Sequence, residues 1–556
     1  EMPGAWRFAH ALFQEAALQG LAAGARARLH LRAATELERR HRDDPGVVAE
    51  LAHHHHEALA VGDPERAFAC AQRAAERASR LLAHEQAAAH WAQAVTALEH
   101  CEAADPLRRL ETLLALGDAH RLAGDRARRR AAFGAAIASA QALGRPLERA
   151  RAAIGFCDLS EWAPVDEEAR SATEAALADL PPEARVERAR LLTRVAYLSA
   201  RGATEQAVPI AREAVDRARA VADPAAQQDA LYTLFFLLAG PDHLEERDAL
   251  AREAAAVARA GGTADPTVIT LLDLACDRIV AGDAEGARRW RAEAAEVAGP
   301  EPHLGRVWHL RVYDTGAALR EGRFADAESG IDEVARMGQR IEHPYARGVE
   351  RALRAFLARE RGDDAAVLAV FDPTRPVRLG PVQFVQGVAG RALAAVGRRE
   401  EAEALFADLV GPGVDAIPRN IRWYATVAEA SLLAAELGDE ARVKDLLALL
   451  EPRADQHAVL PLASYCGPIA RCLARLEETL GRFDRADDLF AEAEEAAAAV
   501  GARPARAHVL IEHGRLLARR SDRRRARERL SEGVALADEL GMVRVAREGR
   551  EAASTL

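Results

Sequence analysis

Apolar and polar positions along the chain repeat with a helical period that is punctuated by glycine. Gly481 is followed by Ala486, Phe490 and Ala493, Gly397 by Ala402, Phe406 and Leu409, and Gly124 by Phe133 and Ala136. The offsets +5, +9 and +12 are i, i+4 and i+7 of an α-helix, so these side chains share one face. Similar stretches open at Gly62, Gly202, Gly282, Gly322, Gly362 and Gly438, and Ser521 takes the glycine's place in the last of them. A second glycine often follows, Gly144 after Gly124 and Gly501 after Gly481. Glycine suits the point where one helix stops and the chain turns back into the next. Two such marks per unit predict a helical hairpin, and a recurrence of about forty residues predicts a solenoid of hairpins.

A chain of 556 residues would ordinarily divide into several globular domains, but a repeat array grows in one dimension and escapes that count. Apolar residues make up 49% and aromatics only 5%, so the packing surfaces are mostly Ala and Leu, strong helix formers that let helices approach closely. No sustained Val, Ile and Thr alternation marks a strand. The expected fold class is all-α.

The internal pattern of the hairpins resembles the tetratricopeptide repeat. Leu116-Gly117, then Gly124, Phe133 and Ala136, follow its order of L-G, turn glycine, aromatic and small residue; Leu480 to Ala486 with Phe490 and Ala493 follows it more closely. By length alone, HEAT or armadillo units would fit better, since tetratricopeptide units run about 34 residues. A longer second helix, such as one from Arg485 to Val500, accounts for the excess. The resemblance implies a right-handed superhelix of about a dozen lengthened tetratricopeptide-like hairpins. Pro-rich joints at 180–185, 299–306 and 411–420 are where its pitch would change.

The start of the chain does not follow the repeat. Phe8, His10, Leu12 and Glu15, then Arg26, Leu29 and His30, resemble the end of the winged-helix part in large bacterial signal-transduction ATPases, the maltose-regulator-like LuxR family of transcription regulators. Leu51 to His54 and Gly62 to Ala67 resemble that family's first repeat. The resemblance implies a leading segment, 1–45, left from an ATPase-linked winged helix, and a solenoid over 46–556. It also implies that His10 touches a bound nucleotide's phosphate when the ATPase module is present. The only lysine, Lys444, has no glycine loop before it, so a G-x-x-x-x-G-K-[ST] phosphate loop is missing. The family's C-terminal helix-turn-helix is missing too. The chain therefore reads as the middle piece of a longer regulator, with a phosphate loop expected upstream in its reading frame.

Charge narrows the partners. A net charge of −11 and a pI near 6.0 argue against direct nucleic-acid binding by this chain. The basic runs 126–130 and 519–525 read as solvated helix faces. Six cysteines without a C-x-x-C pair read as buried thiols in a reducing cytoplasm. No long apolar run predicts a membrane span, and no signal peptide opens the chain. Localisation in the cytoplasm is expected.

Little points to chemistry. In His53-His54-His55-His56 only His53 and His56 share a helix face, short of the three or four ligands zinc needs, so no metal is expected. Adjacent acids such as Glu477-Glu478 diverge by about 100° on a helix, and no nucleophile or zinc-protease motif occurs. Neither catalytic residues nor a cofactor are expected. Binding, if it occurs, belongs on the concave face. The candidates are Trp308, His309 and Tyr313 on one helix, Gln383, Phe384 and Arg391 on another, and Arg422, Trp423 and Tyr424 on a third. Two readings stand for them: fillers between Ala-rich helices, or a recognition groove for a peptide, a protein partner or a small inducer. The expected function is the signal-sensing, protein-interaction arm of an ATP-dependent bacterial regulator. A free-standing assembly scaffold is the alternative, and an all-α enzyme a remoter one. Assembly into a homo-oligomer stays open.

Overall fold

A computed structural model describes residues 21–41, 44–102, 105–157, 159, 166–199, 204–261, 264–299, 304–341, 343, 345–370, 383–462 and 464–556. Among these, the chain forms 27 α-helices, three short 3-10 turns and one two-stranded hairpin. Successive helices pack on one another as antiparallel hairpins, and the fold is all-α. The chain divides into two units, one of residues 1–159 and 165–198, the other of 160–164 and 199–556.

Turns are built as the pattern predicted. Gly124 and Gly481 adopt φ of 77° and 73°, and Ser521 adopts φ of 63°, a left-handed conformation that costs a residue with a Cβ. Gly62 departs from the rule: its turn needs no positive φ. Aspartate usually follows and caps the next helix. The carboxylates of Asp63, Asp105 and Asp223 accept backbone N–H groups of the first turn, each with proline directly after, where the missing N–H is no loss.

In the first unit, the helices from Ala23–Arg40 to Arg185–Ser199 bury Ala, Leu and a few Phe side chains. Phe133 shows why small residues recur. A Cβ on Gly117 would lie 2.7 Å from its ring, and one on Gly155 would strike it as well. The ring is clasped between two backbones. Helix Ala23–Arg40, expected to belong to the leading segment, packs against Val48–Glu57 within this unit. The basic run 126–130 is not simply wet: Arg130 binds Asp166 bidentately, at 2.5 and 3.0 Å.

The second unit corrects two expectations. Strand β1 (His457–Leu460) and strand β2 (Ser464–Pro468) form an antiparallel hairpin between helices Glu440–Leu450 and Ile469–Thr479, and every residue of both strands is buried. Burial on both faces removes the polar–apolar alternation that would have revealed them. The hairpin packs against helices Ala264–Val280, Leu304–Glu321, Trp423–Leu437 and Arg503–Arg519. Nor do hairpins touch only their neighbours in sequence, as a one-dimensional array requires. Arg419 pairs with Asp242 at 2.6 Å, His508 with Glu360 at 3.1 Å, and Arg544 with Asp364 at 2.7 Å. These contacts span 148 to 180 positions. The second basic run is likewise engaged, Arg525 holding Asp487 at 2.8 Å.

Candidate binding site

The aromatic candidates lie in the core of the second unit. Trp308 is 2% exposed and Trp423 1%, which leaves neither ring a surface to offer a partner. Trp308 donates its indole N–H to the Val334 carbonyl at 3.0 Å and stacks on His343 with centroids 4.2 Å apart. Trp423 is flanked by the Arg419 and Arg453 guanidiniums, each 5.2 Å from its ring. Tyr424 donates its hydroxyl to the Gln456 side chain at 2.8 Å, just ahead of β1. Tyr313 lines a small cavity with Val459, Leu460 and Tyr465 of the hairpin. Phe384 is buried. His309 bonds the Gly305 carbonyl on its own helix, and the backbone N–H of Arg422 donates to Asn420 at 2.9 Å. Gln383 begins the helix Gln383–Ala395. His10 lies outside the described residues.

The hairpin thus occupies the space that Tyr313 and Tyr424 were expected to open to a ligand. Trp308, Tyr313, Phe384, Trp423 and Tyr424 are all packed in the core. Arg391 is different, because it borders an open cavity.

That cavity has a volume of about 1050 Å³ and is walled by six helices, in chain order from Ala346–Arg361 to Val543–Ser554, together with the ends of two others. Eight arginines and five carboxylates line it, and further carboxylates, Glu360, Glu403, Glu429 and Glu478, pair with lining arginines from just outside the lining. Its floor is a buried ionic network. Glu429, 1% exposed, accepts from Arg359 at 2.7 Å and Arg391 at 3.2 Å; Arg391 also reaches Glu436 at 3.0 Å. Arg471 holds Glu512 bidentately at 2.7 and 2.9 Å. Burial opposes ionisation of Glu512, but the Arg471 guanidinium outweighs it and holds the carboxyl at about 2. Glu360 is likewise driven well below the carboxylate range, burial being overcome by Arg359 and His508. These arginines are spent on internal carboxylates.

The rim is less committed. Arg515 and Arg547 are half or more exposed, and their nearest carboxylates, Glu548 and Glu551, stand at 3.9 and 3.8 Å. Such exposed pairs are worth little and are easily exchanged for another anion. A second cavity of about 860 Å³, between helices Ala284–Ala298, Leu304–Glu321 and Phe324–Arg340, is more evenly balanced, with five arginines against four carboxylates. Sequence reasoning missed the rim arginines because a helix face does not announce which distant helix it meets.

Among the described residues, no helix is long and apolar enough to cross a membrane, and none of the six cysteines is joined in a disulfide. No family model matches the chain, and no curated protein proves similar to it. Among solved structures, the chain is similar to the Rap protein complexed with competence and sporulation factor, at 16% identity over 62% of this chain and 96% of that one, TM-score 0.45. It is also similar to the IFIT1 monomeric mutant with Gppp-AAAA, at 12% identity over 81% of this chain and 95% of that one, TM-score 0.37.

Proposed function

We propose that this chain is a binding arm without catalytic activity, which captures an anionic ligand or an acidic stretch of a partner in the arginine-lined cavity of its second unit. The observation that carries the reading is the rim of that cavity of about 1050 Å³, where Arg515 and Arg547 are exposed and their carboxylate partners stand no nearer than 3.9 and 3.8 Å. Guanidinium forks match carboxylates bidentately, and a chain end or acidic side chain is the simplest peptide group to offer one. The buried floor fixes the arrangement, while Arg515 and Arg547 on the rim are free to turn toward a ligand. The resemblance of the leading residues, Phe8 to His30, supports the further reading that such an arm follows the ATPase module of a bacterial transcription regulator, where segment 1–45 would be the joint. Capture at the cavity would then bias that module between inactive and active states.

Panning a random short-peptide library on the chain tests the binding reading. Enriched peptides should carry Asp, Glu or a free terminal carboxylate and should be lost from an Arg515→Ala/Arg547→Ala double variant. Peptides without acidic bias, or equal enrichment on the double variant, would defeat it. Sequencing the frame upstream of Glu1 tests the regulator reading, which needs a phosphate loop there.

A further inference from the structure

Three histidines meet on the first unit, far from the cavity in sequence. His30 comes from helix Ala23–Arg40, His53 and His54 from helix Val48–Glu57. One ring nitrogen from each lies within 4.8 Å of the other two. Nδ1 of His30 and Nδ1 of His54 are 2.8 Å apart. His53 and His54 point about 100° apart on their own helix, but His30 enters between them from its neighbour. The ring centroids are 5.0 to 5.5 Å apart.

We propose that His30, His53 and His54 form a site for a divalent transition metal of the zinc class, independent of the anion-binding cavity. Neutral imidazole is a good ligand for such ions, and three protein ligands plus water is an established coordination set. With metal–nitrogen bonds of about 2.0–2.1 Å, tetrahedral ligand atoms sit about 3.4 Å apart, inside the spread already present. Small side-chain rotations therefore close the site. The backbone is held for the purpose: Val48, Leu51, Ala52 and His55 anchor the other face of the helix in the core. Glu50 is within a side-chain rotation of serving as the outer partner. Its carboxylate stands 3.8 Å from Nε2 of His54, the nitrogen opposite the one facing His30, and on closing to hydrogen-bond distance it would fix the tautomer as in carboxylate–histidine–metal arrangements. His53 is exposed, which gives the ion a path in and leaves a coordination position to water.

A neighbouring group, Glu38, His55 and Cys70, is a weaker candidate. Glu38 is already held by Arg66 at 2.7 and 2.9 Å, and binding there would require breaking that fork.

Zinc chloride titrated into the chelator-treated full chain by calorimetry tests the proposal. One zinc per chain is expected, with affinity about tenfold or more weaker in His53→Ala and His30→Asn, and reduced in Glu50→Gln. His53 is exposed, so its variant should keep its helical circular dichroism, and a Cys70→Ser variant should bind as the parent does. Cobalt(II) should give the intense visible bands of a tetrahedral site in the parent and lose them in His53→Ala. No zinc uptake by the parent, uptake unchanged in both histidine variants, or uptake lost only in Cys70→Ser would each overturn the assignment.

Discussion

His457 should make the second unit acid-sensitive. The residue sits in β1, 2% exposed, with Nδ1 2.7 Å from the Tyr465 hydroxyl. Burial, reinforced by the charge of Arg320 and only partly offset by Asp455, depresses its pKa from 6.5 to about 4. Between those two values the unfolded chain binds a proton that the folded chain refuses, so stability falls as pH falls through that window. The full shift amounts to about 3 kcal/mol, of which about 2 kcal/mol is lost between about pH 7.5 and about pH 5. The perturbation is His457→Phe, which keeps an apolar ring in the hairpin but cannot titrate. It forfeits the bond to Tyr465, a cost of about 1 kcal/mol that is the same at both pH values. His508 and His513, also depressed by burial, titrate alike in both proteins and cancel. Guanidinium unfolding of parent and variant at the two pH values gives the double difference. The reasoning predicts that the variant loses about 2 kcal/mol less than the parent on acidification. Equal losses within about 0.5 kcal/mol would refute it.

The network under the cavity predicts a harsher result. Glu429→Ala leaves Arg359 and Arg391 without their shared carboxylate and should cost about 3–5 kcal/mol in chemical denaturation; a loss below about 1 kcal/mol would show that water or Glu436 compensates. Trp423→Ala should cost about 3–5 kcal/mol and lower the thermal midpoint, as for a filled core site, rather than alter ligand affinity in a stable protein. Ser521→Gly should stabilise the chain by up to about 1 kcal/mol, because glycine relieves the left-handed φ while costing some entropy in the unfolded chain.

The repeat itself was legible because its chemistry is local. The offsets from each glycine place Phe490, Ala486 and Ala493 on one helix face, and all three are buried. Ser521 could be recognised as a turn residue only by its place in that series, and its φ of 63° agrees. What failed to show in the sequence depends on partners far along the chain. Periodicity puts Trp308 and Trp423 on helix faces but does not say what covers them: His343 stacks on the first and the Arg419 and Arg453 guanidiniums flank the second, while the nine hairpin residues are too buried to alternate. The cavity's rim needs Arg515 and Arg547 to approach helices around residue 391, more than a hundred positions away. His54 was read with its own helix alone, and its nearest ligand-type neighbour, His30, lies 24 residues earlier on another.

Hydrogen exchange of the whole chain, with and without a peptide enriched on it, tests the binding arm most directly. The account predicts slowed exchange concentrated in the helices Arg503–Arg519 and Val543–Ser554, which carry the rim arginines, and little change along the first unit. Protection centred on the helix Leu304–Glu321, or spread evenly over the chain, would contradict it.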